Sequence, residues 1–259
     1  MFRKIAISVM FPALVFSAGS RIYADDSITG TAFKAARTSL ATVKYEAQKP
    51  EDWQLSIFKT RRFSFNELYD PELSMWTGFD SAPFAGEIAI VYVDLKNAHS
   101  FSGRMIFAMD TSTPSAPSVF FSTGPFSGDC GGSVIQLSPR RLIKLNNKLL
   151  LEIREEQLQH ACIGQRETVR NFDHLFNSSD NFKEVFAFEN FFFDGRETRA
   201  AVISPGDFYI DTAGVLLLTT SSDNAHNART SDDSYHILEW TKEGVLVPGK
   251  VQSPSTGVE

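Results

Sequence analysis

The chain has 259 residues, a formal charge of −6 at neutral pH and an ordinary 42% hydrophobic content, with 23 Phe and only two Cys. An acidic chain without clustered Lys and Arg is not a general nucleic-acid binder, because phosphate neutralisation needs such clusters. The two short basic groups, Lys59-Thr60-Arg61-Arg62 and Arg140-Arg141, are read as solvated surface.

The N-terminus reads as an export signal. Arg3 and Lys4 are followed by an uncharged apolar run from residue 5 to residue 18, which is too short for the roughly 20 residues of a membrane-spanning helix. Cleavage is expected after Ala24, ahead of Asp25-Asp26, with cleavage after Gly19 as the alternative. Loss of residues 1–24 removes Arg3, Lys4 and Arg21 and no acid, leaving 235 residues at a formal charge of −9. No later apolar stretch is long enough to span a bilayer, so no membrane span is expected after signal removal. The destination is periplasmic or secreted.

Oxidising export sets the expectation for Cys130 and Cys162, which are read as one structural disulfide. Closing that loop of about 32 residues stabilises a fold by roughly 3–4 kcal/mol in the chain-entropy account.

Beyond the leader, short apolar runs recur between Gly, Pro, Asn, Asp and Ser clusters, the pattern of many strands joined by turns. Residues 25–251 are expected to form a single mainly β, antiparallel domain, a barrel or sandwich ahead of a β-propeller, with one or two short helices and a disordered tail at 252–259. The first helix is expected at 31–47, where Phe33, Ala36, Leu40 and Val43 repeat at three or four residues, with Thr29 or Thr31 as cap. A second is expected at 154–161 or at 168–176, where Val169, Phe172 and Phe176 share a helical face.

Among the strands, 87–95 is apolar on both alternating faces and so belongs mid-sheet, covered on both sides, with 105–109 beside it. Further strands are expected at 53–58, 119–122, 134–137, 185–193, 199–203, 208–211, 215–220 and 235–240, and 111–117 is one long loop. Residues 141–153 form a hairpin turning at Asn146-Asn147, residues that tolerate the positive φ of a two-residue turn. Polar turns at 193–195, 210–214 and 240–244 suit strand reversals.

No motif specifies chemistry. Gly128-Asp-Cys-Gly-Gly-Ser133 resembles the nucleophile loop of chymotrypsin-like proteases, particularly the viral ones that use Cys. That resemblance implies Cys130 as nucleophile beside a backbone oxyanion hole. It covers six residues, and the His and acid that the family places well upstream are missing: His99 alone precedes Cys130 in the mature chain, 31 residues away. Gly124-Pro-Phe-Ser-Gly128 misses the serine-hydrolase elbow by one place. His99, His160, His174, His226 and His236 lack zinc-ligand spacing, and the polar stretch 221–234 lacks that of a calcium loop. Glu155-Glu156 and Asp70 with Glu72 are the carboxylate pairs that a glycosidase would need to bring into geometry.

The sequence therefore predicts no catalytic, cofactor-binding or metal residue and no cofactor. The expectation is an exported, non-enzymatic protein that binds a macromolecular partner, protein or cell envelope, of the inhibitor, immunity or envelope-assembly type. A secreted hydrolase of envelope glycan or peptide is the alternative.

Overall fold

A computed structural model describes residues 18–42, 52–74, 84–97, 102–127, 133–145, 148–159, 168–194, 206–210, 216–221 and 233–252. These form mainly β structure in three antiparallel meanders of four consecutive strands. Sheet A runs β1 (Gln54–Ser64), β2 (Glu87–Lys96), β3 (Ser102–Asp110), β4 (Ser118–Ser127). Sheet B runs β5 (Ser133–Leu145), β6 (Lys148–Gln159), β7 (Thr168–Asn177), β8 (Lys183–Asp194). Sheet C runs β9 (Gly206–Ile210), β10 (Leu216–Ser221), β11 (Asp233–Trp240), β12 (Leu246–Gln252). Among the described residues no sheet closes on itself as a barrel; the sheets stack face to face.

Stacking follows from strands with no polar face. In β2 every residue from Ile88 to Val93 is buried, so successive side chains need cover in opposite directions. One face of sheet A presents Ala89, Val91, Val93, Leu95, Met105, Phe107 and Met109 to helix α1 (Ala18–Thr42). The other presents Ile88, Ile90, Tyr92, Ile106 and Ala108 to Leu137, Leu142, Leu151, Ile153 and Phe176 of sheet B. On the far face of sheet B, Ile143, Leu145, Leu150, Leu175 and Val185 meet Phe208, Leu216, Leu218, Leu238 and Leu246 of sheet C. The order of layers is α1, sheet A, sheet B, sheet C.

Helix α1 begins well before the expected position 31 and ends at Thr42, so no threonine caps it at 29 or 31; residues 43–47 lie outside the described residues. Its inward stripe is Ile28, Ala32, Ala36 and Leu40, spaced by four, while Phe33 is half-buried at the side. Two alanines on that stripe let the helix lie close on the sheet.

The second expected helix does not form: 154–159 belongs to β6 and 168–176 to β7. Leu150 to Ile153 in β6 and Asp173 to Asn177 in β7 are buried at successive positions, as strands covered on both faces require. The helix that does follow is one turn, α2 (Phe65–Leu68), started by a capping box between Ser64 and Glu67. Its Phe65 and Leu68 plug one end of the space between sheets A and B, with Phe182 edge-on to Phe65 at 6.1 Å. Gly86, at φ +146°, is required there, because a Cβ would lie 2.5 Å from the Phe65 ring.

The 141–153 hairpin is observed, its arms closing at the Leu145–Lys148 pair, and the strand expected at 87–95 pairs with Ser102–Asp110 as anticipated. The turn at 240–244 closes β11 on β12 through Gly244 at φ +72° and a Thr241 N–H to Val245 C=O bond of 2.8 Å. Strand β12 takes in Gln252, the first residue of the expected tail. The strand expected at 199–203 and residues 253–259 lie outside the described residues.

Phe107 is completely buried between α1 and sheet A. Phe107→Ala is expected to lower unfolding stability by about 3–5 kcal/mol, measured by urea denaturation of the mature chain.

Candidate functional site

The space between sheets A and B is apolar at the α2 end and polar at the other. Strand alternation carries the same faces from Ile88, Ile90 and Tyr92 to Asp94, from Ala108 and Ile106 to Arg104, and from Leu151 and Ile153 to Glu155 and Gln157. On β7 the face of Phe176 continues through His174 and Phe172 to Arg170.

Three ionisable groups from neighbouring strands meet in this polar half. His174 Nδ1 lies 2.6 Å from Glu184 Oε1 on β8, and its Nε2 lies 3.3 Å from Glu155 Oε2 on β6. The second contact is an ion pair rather than an aligned hydrogen bond, since Nε2 has no hydrogen-bond partner. Glu155 Oε1 also accepts from Thr123 Oγ1 of sheet A at 2.6 Å and from Gln157 Nε2 at 2.9 Å. The Phe121 ring covers the imidazole at 4.7 Å between centroids, and Phe176 stacks beside it at 6.1 Å.

Burial alone would hold the imidazole neutral. The hydrogen bonding and charge of Glu155 and Glu184 outweigh it and raise the His174 pKa to about 9. Burial would likewise raise Glu155, but the ion pair with His174 and hydrogen bonds from Thr123 and Gln157 lower it on balance. At neutral pH the ring is therefore an imidazolium between two carboxylates, with no lone pair to take a proton or bind a metal. Among the described residues no group of three or more His, Cys, Asp or Glu is placed to hold a metal ion.

The opposite face of sheet B carries a second charged group. The completely buried Glu152 carboxylate accepts from Arg141 Nε and, at 3.1 Å, from Arg140 Nη1. Arg154 holds Asp173 by two bonds of 2.8 Å. Burial pushes Glu152 up despite Arg141, and the Asp173 charge adds to that rise. Arg141, half-buried, is thus an internal counter-charge of a buried acid rather than the solvated residue its sequence suggested, while Arg140 is exposed as expected and reaches the same carboxylate.

The other carboxylate pairs resolve differently. Glu155 points into the inter-sheet space and Glu156, its chain neighbour, is exposed on the other face, so the two do not converge. Asp70 accepts the backbone N–H groups of Glu72 and Leu73 at 3.0 and 3.1 Å, organising the turn after α2. His236 lies on β11 opposite Val251. Cys130, Cys162, His99, His160, His226 and most of the 221–234 stretch lie outside the described residues, as does the protease-like loop up to Ser133.

Among the described residues β1 is the edge strand of sheet A, with no strand on its outer side. None of its residues is buried, and Phe58, displaced by a bulge between Ile57 and Lys59, is 56% exposed. The Arg104 guanidinium lies 3.7 Å over the Phe58 ring and is itself held by Asp94 at 2.7 Å. An open surface groove of about 660 Å³ runs along Gly30, Phe33, Lys34 and Arg37 of α1. No helix among the described residues is long and apolar enough to cross a membrane. No family model, curated protein or solved structure matches the chain.

The signs of the two shifts define a pH window. His174, raised from 6.5, contributes stability that is complete below pH 6.5 and is lost as pH rises through about 9. Glu155, lowered from 4.5, contributes stability that is present above pH 4.5 and is lost as pH falls through its folded pKa. His174→Gln is expected to cost more at pH 6 than at pH 10, as read by urea unfolding at both values; an equal cost would show that the ring is neutral in the fold.

Proposed function

We propose that the mature chain is an exported β protein, periplasmic or secreted, that binds a macromolecular partner through the open edge of sheet A rather than catalysing a reaction. The observation that carries this is Phe58. Single exposed apolar side chains are common, but this one stands on a strand edge with no strand neighbour among the described residues, fixed in place by a guanidinium that a carboxylate buttresses. An aromatic ring held rigid before binding loses little side-chain entropy on contact.

Removal of a leader is compatible with the fold. Ile28, Ala32, Ala36 and Leu40 form the inward stripe among the described side chains of α1, so cleavage after Ala24 or Gly19 spares all four and leaves the acidic Asp26 near the new N-terminal end. The β5–β6 register favours the proposed disulfide: Ser133 and Gln159 are cross-strand partners, and Cys130 and Cys162 lie three residues beyond each of them.

A secreted hydrolase is the alternative, and the state of His174 weighs against it, since both ring nitrogens are engaged by carboxylates. Partner retention is expected to fall at least tenfold in Phe58→Ser when immobilised protein is challenged with the native envelope fraction. Val247→Ser, at an exposed apolar residue of sheet C, is expected to retain it; equal retention by both variants and the parent would refute the edge reading.

The exported product is expected to begin at Asp25 and to resist thiol alkylation until reduced, as read by intact mass. Alkylation of Cys130 without reductant would rule out the disulfide.

A further inference from the structure

Resting on the proposal that the β1 edge is a binding surface, we infer that its occupant is an acidic, extended polypeptide segment that adds to sheet A as a fifth strand beside Lys59–Ser64. Past the bulge at Phe58, β1 keeps unbroken register with β2 from Lys59 opposite Tyr92 to Ser64 opposite Glu87. Its other side has no strand neighbour among the described residues, so alternate backbone N–H and C=O groups along this stretch face away from β2. An incoming strand satisfies them by the same ladder that holds β1 to β2.

Charge selects the occupant. The whole of β1, QLSIFKTRRFS, has three cations and no acid, on a chain whose formal charge is −6. Lys59 and Arg61 share one face of the strand and Arg62 lies on the other. Arg62 is engaged by Glu87 at 3.2 Å and Arg61 lies over the Phe63 ring at 5.0 Å; neither Lys59 nor Arg61 has a carboxylate partner among the described residues.

Cross-strand neighbours sit about 4.5–5.5 Å apart, so an added strand carrying Glu or Asp on the matching face pairs with both cations, while one carrying Lys is repelled. Self-pairing of two β1 edges sets Lys59, Arg61 and Arg62 against the same residues and is disfavoured for that reason. The bulge and the cations that guard the edge against indiscriminate pairing thereby make it selective.

Fluorescence anisotropy with labelled synthetic decapeptides tests this on the mature, disulfide-intact protein. An alternating Glu-Thr peptide is expected to bind, with affinity falling as salt rises. Its Lys-Thr counterpart is expected not to bind, and neither is a Glu-Thr peptide N-methylated at alternate residues, which cannot extend the ladder. Lys59→Glu with Arg61→Glu should weaken binding at least tenfold while leaving the thermal unfolding midpoint near that of the parent. Equal binding of the Lys peptide or the N-methylated peptide overturns the inference, as does a β1-dependent dimer in sedimentation. Because the peptide series reads the occupant directly, it can fail while Phe58→Ser still abolishes partner retention; the edge would then stand and the acidic-strand class would fall. If Phe58→Ser changes nothing, both fall.

Discussion

Everything in this structure depends on sheets whose middle strands have no polar side to offer water. β2 and β3 bury residues toward both faces, and β6 does the same with Leu150 against Leu151. A two-layer arrangement would leave one set exposed, at roughly 25 cal/mol for every Å² of apolar surface. Sheets A and B must therefore each be covered twice, and the chain supplies the outer cover with what lies at its two ends: α1 before sheet A and sheet C after sheet B. The stack is consequently ordered along the sequence, each meander packing on the one that precedes it.

Within that stack the inter-sheet space of A and B is closed unequally. At one end α2, Phe84 and Phe182 fill it, and the turn after α2 ties to the edge of β5 through Asp70 N–H to Leu142 C=O at 3.0 Å and Lys144 N–H to Ser74 Oγ at 3.0 Å. At the other end the same faces become charged and each charge is matched locally: Arg104 by Asp94, Arg170 by Glu189, His174 by two carboxylates. Matching of this kind removes the penalty of a lone buried charge but leaves little net gain. The polar end is thus a place where the fold tolerates charge, whereas Lys59 and Arg61 of β1, the proposed binding edge, have no such match among the described residues.

How far the sequence disclosed this depends on the kind of signal. Strands apolar on both faces, such as 87–95, were legible because the run is short and rich in Ile and Val, which suits a covered strand better than a helix. The false helix at 168–176 came from Val169, Phe172 and Phe176, whose spacing fits a helix by coincidence; Asp173 and His174, polar yet buried, are explained only by partners on β6 and β8. Strand β12 was not anticipated because Pro248 and Gly249 read as breakers, although a proline is tolerated there on the edge of sheet C. The Glu155–His174–Glu184 group could not be seen at all, since it is assembled from three strands plus Thr123 of a fourth, and no spacing along the chain encodes it.

The buried charges have a further consequence for register. On β6 the apolar centre does not distinguish one face from the other, because Leu149, Leu151 and Ile153 face sheet A while Leu150 faces sheet C. A slip of one residue would exchange those sets at little hydrophobic cost, and hydrophobic pattern alone would leave the strand poorly specified. The charged residues break that degeneracy. Slipped by one, Glu155 would leave His174 and Thr123 for the face of Glu152, while Glu152 and Arg154 would lose Arg141 and Asp173 and enter the space beneath Phe121. Carboxylates three residues apart are held by opposite means, Glu155 lowered by its hydrogen bonds and Glu152 raised by burial, so neither environment accepts the other's state. The polar pairs add little to net stability, and what they contribute is the choice of which face of sheet B meets which neighbour.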